Sequence, residues 1–309
     1  MRPLYLLPAV AAGLLTFTAC DFDDLQDLGR FTSDFHYSYP LHAGGRLSIE
    51  TFNGSIEVSG WDQNTIDISG TKSGPSQQAA NDLPVAIDHT AEAVGIRVVR
   101  PSERRNHQGA RFVIKVPRSA ILERLATSNG AIRTIDGTGP ARFKTSNGAI
   151  HVEGLHGSLD AQTSNGAVEL LDIEGDVVAH TSNGRIRAER LRGTLEATSS
   201  NGSIVADLVR ANGAVRLETS NSSVDLSLPP DYSRDVRAST SNGGITVRLP
   251  SALNARVVAR TSNSSISSDF DLQMRGEISK NRVDAMIGSG GGPLIDLSTS
   301  NGGIRLAKR

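Results

Sequence analysis

One cysteine, a scatter of carboxylates, seven histidines and a glycine cluster are the residues of this 309-residue chain whose types could do chemistry. Cys20 is the only thiol, so no internal disulfide can form. Glycan lyases and hydrolases need paired carboxylates, or carboxylates with Arg or Lys, converging on one face. Asp136, Asp160, Asp172, Asp176, Asp207 and Asp225 are instead scattered singly. Asp172 and Asp176 could meet across a corner, but Glu174 and Gly175 between them read as a solvated turn. His151, His156 and Glu169 come nearest to a metal set, and their spacing reads as surface residues. The run Gly288-Ser289-Gly290-Gly291-Gly292 with Asp296 has the composition of a calcium-binding turn, yet it occurs once where such sites need several stacked copies. It also lacks the Lys-Ser or Lys-Thr of a phosphate loop. No catalytic residue, metal or cofactor is expected. A glycan-active β-helix enzyme is the catalytic alternative.

The setting of Cys20 gives its chemistry. After Met1-Arg2 no charge occurs through Ala19. A short basic start, an apolar middle and small residues before a break are the pattern of a secretory signal. Phe17-Thr18-Ala19-Cys20 resembles the lipobox of bacterial lipoproteins, with Phe17 where Leu, Val or Ile is usual. The resemblance implies that residues 1–19 are removed and that Cys20 is lipidated, anchoring the chain to a membrane without spanning it. An ordinary signal peptide or an uncleaved anchor is the alternative. Residues 20–40, opened by Asp21, Asp23 and Asp24, read as an acidic tether. The expected address is the cell envelope, exported and membrane-anchored.

What must lie beyond the tether follows from composition and repetition. Lys+Arg is 32 against Asp+Glu 33, so no basic surplus points to nucleic acid. Only 38% of residues are hydrophobic and 4% aromatic, against 31 glycines, which suits narrow repeated layers of Val, Ile, Leu and Ala. Ser-Asn-Gly, or Ser-Asn-Ser, recurs with its asparagine at Asn129, Asn147, Asn165, Asn183, Asn201, Asn221, Asn242, Asn263 and Asn301. The spacings are 18, 18, 18, 18, 20, 21, 21 and 38. Two residues before the asparagine stands Thr or Ser (Thr127 to Thr299), and three after it Ile or Val (Ile132 to Ile304). Alternation of period two on both sides of the turn means β-strands with one buried face.

Hairpins tipped by Asn-Gly would form a meander or sandwich. Stacked coils would form a solenoid, and only the solenoid explains the same residue at each offset, because like then lies over like. The expected fold is therefore all-β, a single-chain β-solenoid (β-helix) of about 18–21-residue coils over residues 121–309. The pattern does not fix the hand of the winding. The nine asparagines are expected to form a buried ladder of side-chain amides, with glycine supplying positive φ at the corner. The outward columns mix signs, as a solvated face does. The final gap of 38 reads as two repeats, one degenerate, with the glycine cluster bending it. No cap is visible beyond Lys308-Arg309, which points to end-to-end self-association.

Residues 41–120 are less regular and read as an N-terminal β cap. Arg46–Val58, Asn64–Lys72, Pro84–His89, Ala93–Arg100 and Arg111–Val116 are its strand candidates, Pro75–Leu83 a short helix, and Trp61 a core anchor. Gly45-Arg46-Leu47, Thr51-Phe52-Asn53-Gly54-Ser55-Ile56-Glu57-Val58 and Gly60-Trp61-Asp62, followed by serial Thr-Ser-Asn-Gly coils, resemble a bacterial domain family of unknown function labelled "putative adhesin". That resemblance implies a β-helical fold and surface association. The expected function is an adhesin-like binding or scaffolding protein whose partner is an envelope protein or a glycan. A regulatory, envelope-stress partner of a membrane protein is the other non-catalytic reading.

Overall fold

The computed structural model describes residues 31–100, 108–211, 213–275, 279–289 and 291–309. The expected signal, the expected lipidation site Cys20 and residues 21–30 of the expected tether lie outside the described residues. Residues 31–40, expected to end that tether, form a strand instead. Phe31, Phe35, Tyr37 and Tyr39 alternate with polar residues there, and this period of two outweighs the acidic start of the segment.

The chain opens with β1 (Phe31–Pro40), β2 (Arg46–Glu50), β3 (Ile56–Trp61), β4 (Thr65–Gly74), α1 (Gln77–Asn81), β5 (Val85–His89), β6 (Ala93–Val98) and β7 (Gly109–Pro117). Paired strands of the repeat follow: β8 (Ile121–Ala126), β9 (Ile132–Thr138), β10 (Ala141–Lys144), β11 (Ile150–His156), β12 (Leu159–Gln162), β13 (Val168–Leu171), β14 (Val177–Thr181), β15 (Ile186–Arg192), β16 (Leu195–Ser199), β17 (Ile204–Arg210), β18 (Val215–Thr219), β19 (Val224–Ser227), β20 (Val236–Ser239) and β21 (Ile245–Leu249). The last six are β22 (Ala255–Arg260), β23 (Ile266–Ser268), β24 (Leu272–Met274), β25 (Arg282–Ile287), β26 (Leu294–Ser298) and β27 (Ile304–Lys308).

Each Asn corner joins a strand of one face to a strand of the other, and the two do not pair with each other except at one parallel bridge, Ile121 beside Thr138, between β8 and β9. β10 pairs in parallel with β8 and β12, and β11 with β9 and β13. This is a solenoid, and the hairpin arrangement is excluded. Ile132, Ile150, Val168, Ile186, Ile204, Val224 and Ile245 stack in register along one face. Leu125, Phe143, Ala161, Ala179, Ala197, Leu217 and Ala238 do so along the other. All of these side chains are at most 1% exposed, so the core is a thin double layer of small and β-branched groups.

Both ends depart from chain order. At the N-terminal end β2 and β3, within the expected cap, are themselves a coil, and the pair lies between β6–β7 and β8–β9. Beyond them β5 pairs antiparallel with β6, β4 with β7, and β1 with β4. Aromatic side chains close this end of the core: Phe35 packs edge-on against Phe112 at 5.8 Å and Tyr39 stacks on His89 at 3.8 Å. The helix α1, started by Ser76 accepting from the Ala79 amide, lies beside β1 and β4. Trp61, expected in the core, is half-buried at the end of β3, where its Nε1 donates to the Thr65 carbonyl at 2.8 Å.

At the C-terminal end the gap of 38 holds no degenerate coil. The chain builds the coil of β22 and β23, then turns back through the antiparallel pair β24–β25, with β25 lying antiparallel along β22. It next inserts β26 between β20 and β22, and β27 between β21 and β23. The last coil in sequence is therefore the penultimate coil in space. The expected bare terminus is replaced by short strands, and Lys308-Arg309 lies inside the stack. Gly288 and Gly291, with φ of 64° and 81°, turn the chain between β25 and β26.

Candidate functional site

The corner recurs at each of the nine Ser-Asn turns, and three columns build it. Thr at its first position is buried: Thr145, Thr163 and Thr181 are 2%, 4% and 0% exposed. Each hydroxyl donates to the corner glycine carbonyl of the preceding coil, as from Thr145 to Gly130 at 2.9 Å and from Thr181 to Gly166 at 3.0 Å. The same oxygen accepts from its own corner amide in several coils, such as Gly184 N at 3.1 Å. A buried hydroxyl is thus satisfied twice, and the threonine column fastens coil to coil.

The asparagine column runs outside this. Asn129, Asn147, Asn165, Asn183, Asn201, Asn221, Asn242, Asn263 and Asn301 are solvent-exposed, so the expectation of burial is corrected. Their amides nevertheless form one continuous ladder. Asn147 Nδ2 donates to Asn129 Oδ1 at 2.6 Å, Asn165 to Asn147 at 2.7 Å, and so on to Asn242. Asn301 then donates to Asn242 and Asn263 to Asn301, each at 2.7 Å, which reproduces the inserted coil. Asn53 begins the ladder, accepting from Asn129 at 2.6 Å.

Glycine is required at the corner for a different reason from the one expected. Of the ladder glycines only Gly54 has positive φ. A Cβ on Gly184 would lie 1.8 Å from the Gly166 carbonyl oxygen. Close approach of successive coils, rather than a left-handed backbone, excludes the side chain.

A model of the Toastrack DUF4097 family matches residues 45–249. The chain belongs to this family. Among solved structures, a putative cell adhesion protein from Clostridium sporogenes ATCC 15579 is similar at 10% identity, covering 90% of this chain and 100% of that one with a TM-score of 0.24. A putative adhesin from Bacteroides fragilis NCTC 9343 is similar at 14% identity, covering 89% and 97%, with a TM-score of 0.41. No curated protein matches.

On the outer faces of this Toastrack chain, ionisable groups pair between neighbouring coils. His151 Nδ1 lies 3.3 Å from Glu169, His156 3.3 Å from Glu174, and Arg142 3.6 Å from Asp160. Asp172 does not meet Asp176. Its carboxylate accepts from Arg190 one coil on, and that hydrogen bond holds the carboxyl below its ordinary range. Asp172 and Arg190 sit on stacked corners with φ of 51° and 53°, so the pair also ties down two left-handed residues. Asp176 accepts from Thr194 at 2.7 Å, Asp225 pairs with Arg248, and Arg309 reaches Asp207 at 3.1 Å. Among the described residues no cluster of three or more His, Cys, Asp or Glu could hold a metal, and no helix is long and apolar enough to cross a membrane.

A shallow cleft of about 560 Å³ lies on β1, β4 and β7, lined by Asp34, His36, Thr71, Arg111 and Val113 among others. Its polar groups are already matched: Thr71 donates to Asp34 at 2.7 Å, His36 meets Asp67 at 2.7 Å, and Arg111 meets Glu57 at 2.8 Å. Sequence reasoning missed β1 and this cleft. The signal was the aromatic alternation from Phe31 to Tyr39.

Proposed function

We propose that this Toastrack protein is an exported, lipid-anchored, non-catalytic β-solenoid that presents a binding or scaffolding surface at the cell envelope. One observation carries the reading. Among the described residues, many carboxylates, arginines and histidines of the outer faces pair with one another, between coils in Arg190–Asp172 and Arg248–Asp225 and along one strand in Arg187–Glu189, and these pairs are spread over the faces. Such a surface offers a ligand many repeated, shallow contacts: an exposed Ser-Asn edge on one corner and mixed charges on the faces. Contacts of this kind suit adhesion to a glycan or an envelope protein, where affinity is multiplied by repetition.

The lipobox-like Phe17-Thr18-Ala19-Cys20 supports attachment of that surface to a membrane through Cys20. Labelling cells with a radiolabelled fatty acid tests the anchor. Label and membrane fractionation are both expected for the native chain and both lost in Cys20→Ser. Glycan arrays read alongside turnover assays test the rest. Binding without product release is the expected result, and cleavage of any bound glycan would overturn the non-catalytic reading.

A further inference from the structure

We propose that β1 is a self-recognition edge, through which two copies of this chain join antiparallel about a two-fold axis at residue 35. Four strands end the two faces of the stack, and they differ in length. The outermost strands at the C-terminal end, β23 and β24, have three residues each, and β5 has five. Short edges are a recognised protection against pairing. β1 has ten residues and, among the described residues, pairs on one side only, with β4. It also carries exposed aromatics: Phe31 is 49% and Tyr37 44% exposed.

The sequence of β1 is complementary to itself. A two-fold axis perpendicular to the sheet keeps outer face beside outer face, which requires the numbers of opposed residues to sum to an even value. Centring on Phe35 opposes Asp34 of one copy to His36 of the other, twice over. It also opposes Phe31 to Tyr39 and Ser33 to Tyr37 on the core-side face. Centring on Asp34 or on His36 would instead oppose two aspartates or two histidines, a like pair that disfavours the register. Charges on an edge usually discourage pairing; here they have opposite character and sit symmetrically about one residue. His36 uses Nε2 on its own Asp67, which leaves Nδ1 for Asp34 of the second copy. The aromatic row Phe35, Tyr37, Tyr39, with centroids 5.9 and 6.2 Å apart, would continue across the junction.

The pairing moves the expected self-association from the C-terminal end, where short strands block it, to the N-terminal end. It is independent of the anchoring and adhesion reading, because it concerns only the described strand. The test uses the full chain in mild detergent, with Cys20→Ser to remove the native thiol. Asp34→Cys and His36→Cys are purified separately, then mixed and oxidised. Directly opposed residues lie within disulfide reach, whereas like residues two positions off register lie about 7–8 Å apart.

The expected result is an interchain disulfide in the mixture and none in either variant alone. Sedimentation equilibrium should show a dimer whose dissociation constant rises about ten-fold or more in His36→Asp and recovers when Asp34→His is added. Circular dichroism checks that each variant remains folded. A chain monomeric at every concentration overturns the proposal, including through coverage of β1 by its own preceding residues. A dimer whose mixture fails to cross-link, or in which Asp34→Cys cross-links with itself, overturns it equally.

Discussion

Replacing Gly184 by Ala isolates the close approach of coils from every other property of the corner. Gly184 has no positive φ, so alanine meets no backbone penalty and would ordinarily stabilise by about 0.4–1 kcal/mol through the unfolded chain. The added Cβ, however, lies 1.8 Å from the Gly166 oxygen, 2.3 Å from its carbonyl carbon and 2.8 Å from Ala167 N. Ordinary contact begins at 3.4 Å, so the two coils must part at this corner by more than an ångström in a stack whose strands repeat at about 4.8 Å. Parting them stretches the bond from Thr181, which is fully buried, and the ladder bond from Asn183 to Asn165. Orphaning the hydroxyl costs about 1–3 kcal/mol and overpacking a similar amount, so the expected loss is about 2–6 kcal/mol before that gain is subtracted.

The matched control is Gly95→Ala in β6, where the nearest atom to a new Cβ is 4.0 Å away and the expected change is slight. Urea unfolding of both variants, with amide exchange read at residues 163–203, makes the comparison. Serine stands at the equivalent corner position in Ser222 and Ser264, where the ladder bonds of Asn221 and Asn263 are kept at 2.7 Å, so those two corners seat a Cβ for which the Gly184 corner has no room. Equal urea midpoints for Gly184→Ala, Gly95→Ala and the native chain would refute the view that carbonyl-to-Cα approach sets the period.

Three further outcomes follow from the same geometry. Asn165→Leu breaks two ladder bonds, but the amides left behind at Asn147 and Asn183 face water, so the loss in urea unfolding should be about 1 kcal/mol, well below that for Gly184→Ala. Asp172 is held below its ordinary value of 3.8 by Arg190, so the native state binds fewer protons than the unfolded chain; that stabilisation is present above the unfolded value and lost as pH falls through the folded one, and Asp172→Asn should flatten the acid limb of a melting-temperature profile. Deleting residues 293–309 removes Ile295, Leu297, Ile304 and Leu306, each at most 1% exposed and worth about 1.5–3 kcal/mol of burial, and should leave residues 250–275 open to limited proteolysis while the coils of β10–β17 keep their exchange protection.

The strands were legible because each buries one face, and Leu, Ile and Val at alternate positions say so without help from neighbours. The coil was legible because Thr, Asn and Ile recur at fixed offsets. Whether the amide of Asn165 or the hydroxyl of Thr163 faces inward was not legible, because period two does not carry through a corner where the chain turns. Nor did the sequence distinguish a glycine needed for positive φ from one needed for proximity; Gly54 is required on both counts and Gly184, in the same dipeptide, for proximity alone. β1 was hidden because Asp21, Asp23 and Asp24 dominate the polarity of the segment that contains it.

The insertion of β26 and β27 has a cause that explains both its presence and its invisibility. A coil that carries Thr, Asn, Gly and Ile at the standard offsets fits every slot of the stack about equally well, since each slot offers a corner carbonyl from glycine or serine, the same amide and the same apolar column. Local pattern therefore cannot rank the slots, and the connections must decide. The hairpin β24–β25 is antiparallel to β22 and occupies its outer edge, so the returning chain finds the next parallel slot on the inner side, against β20. The outcome shields the terminus twice over. The last strand has a parallel neighbour on each side, and Arg309 is held by Leu249 and Leu228 within the stack. Fraying from the C-terminus then requires withdrawing a coil from between two others, a larger opening than peeling one from an end. The N-terminal end uses the same device, with β2–β3 enclosed by strands that follow it in sequence. Only β1 remains beyond it as a long strand of unmatched backbone groups among the described residues.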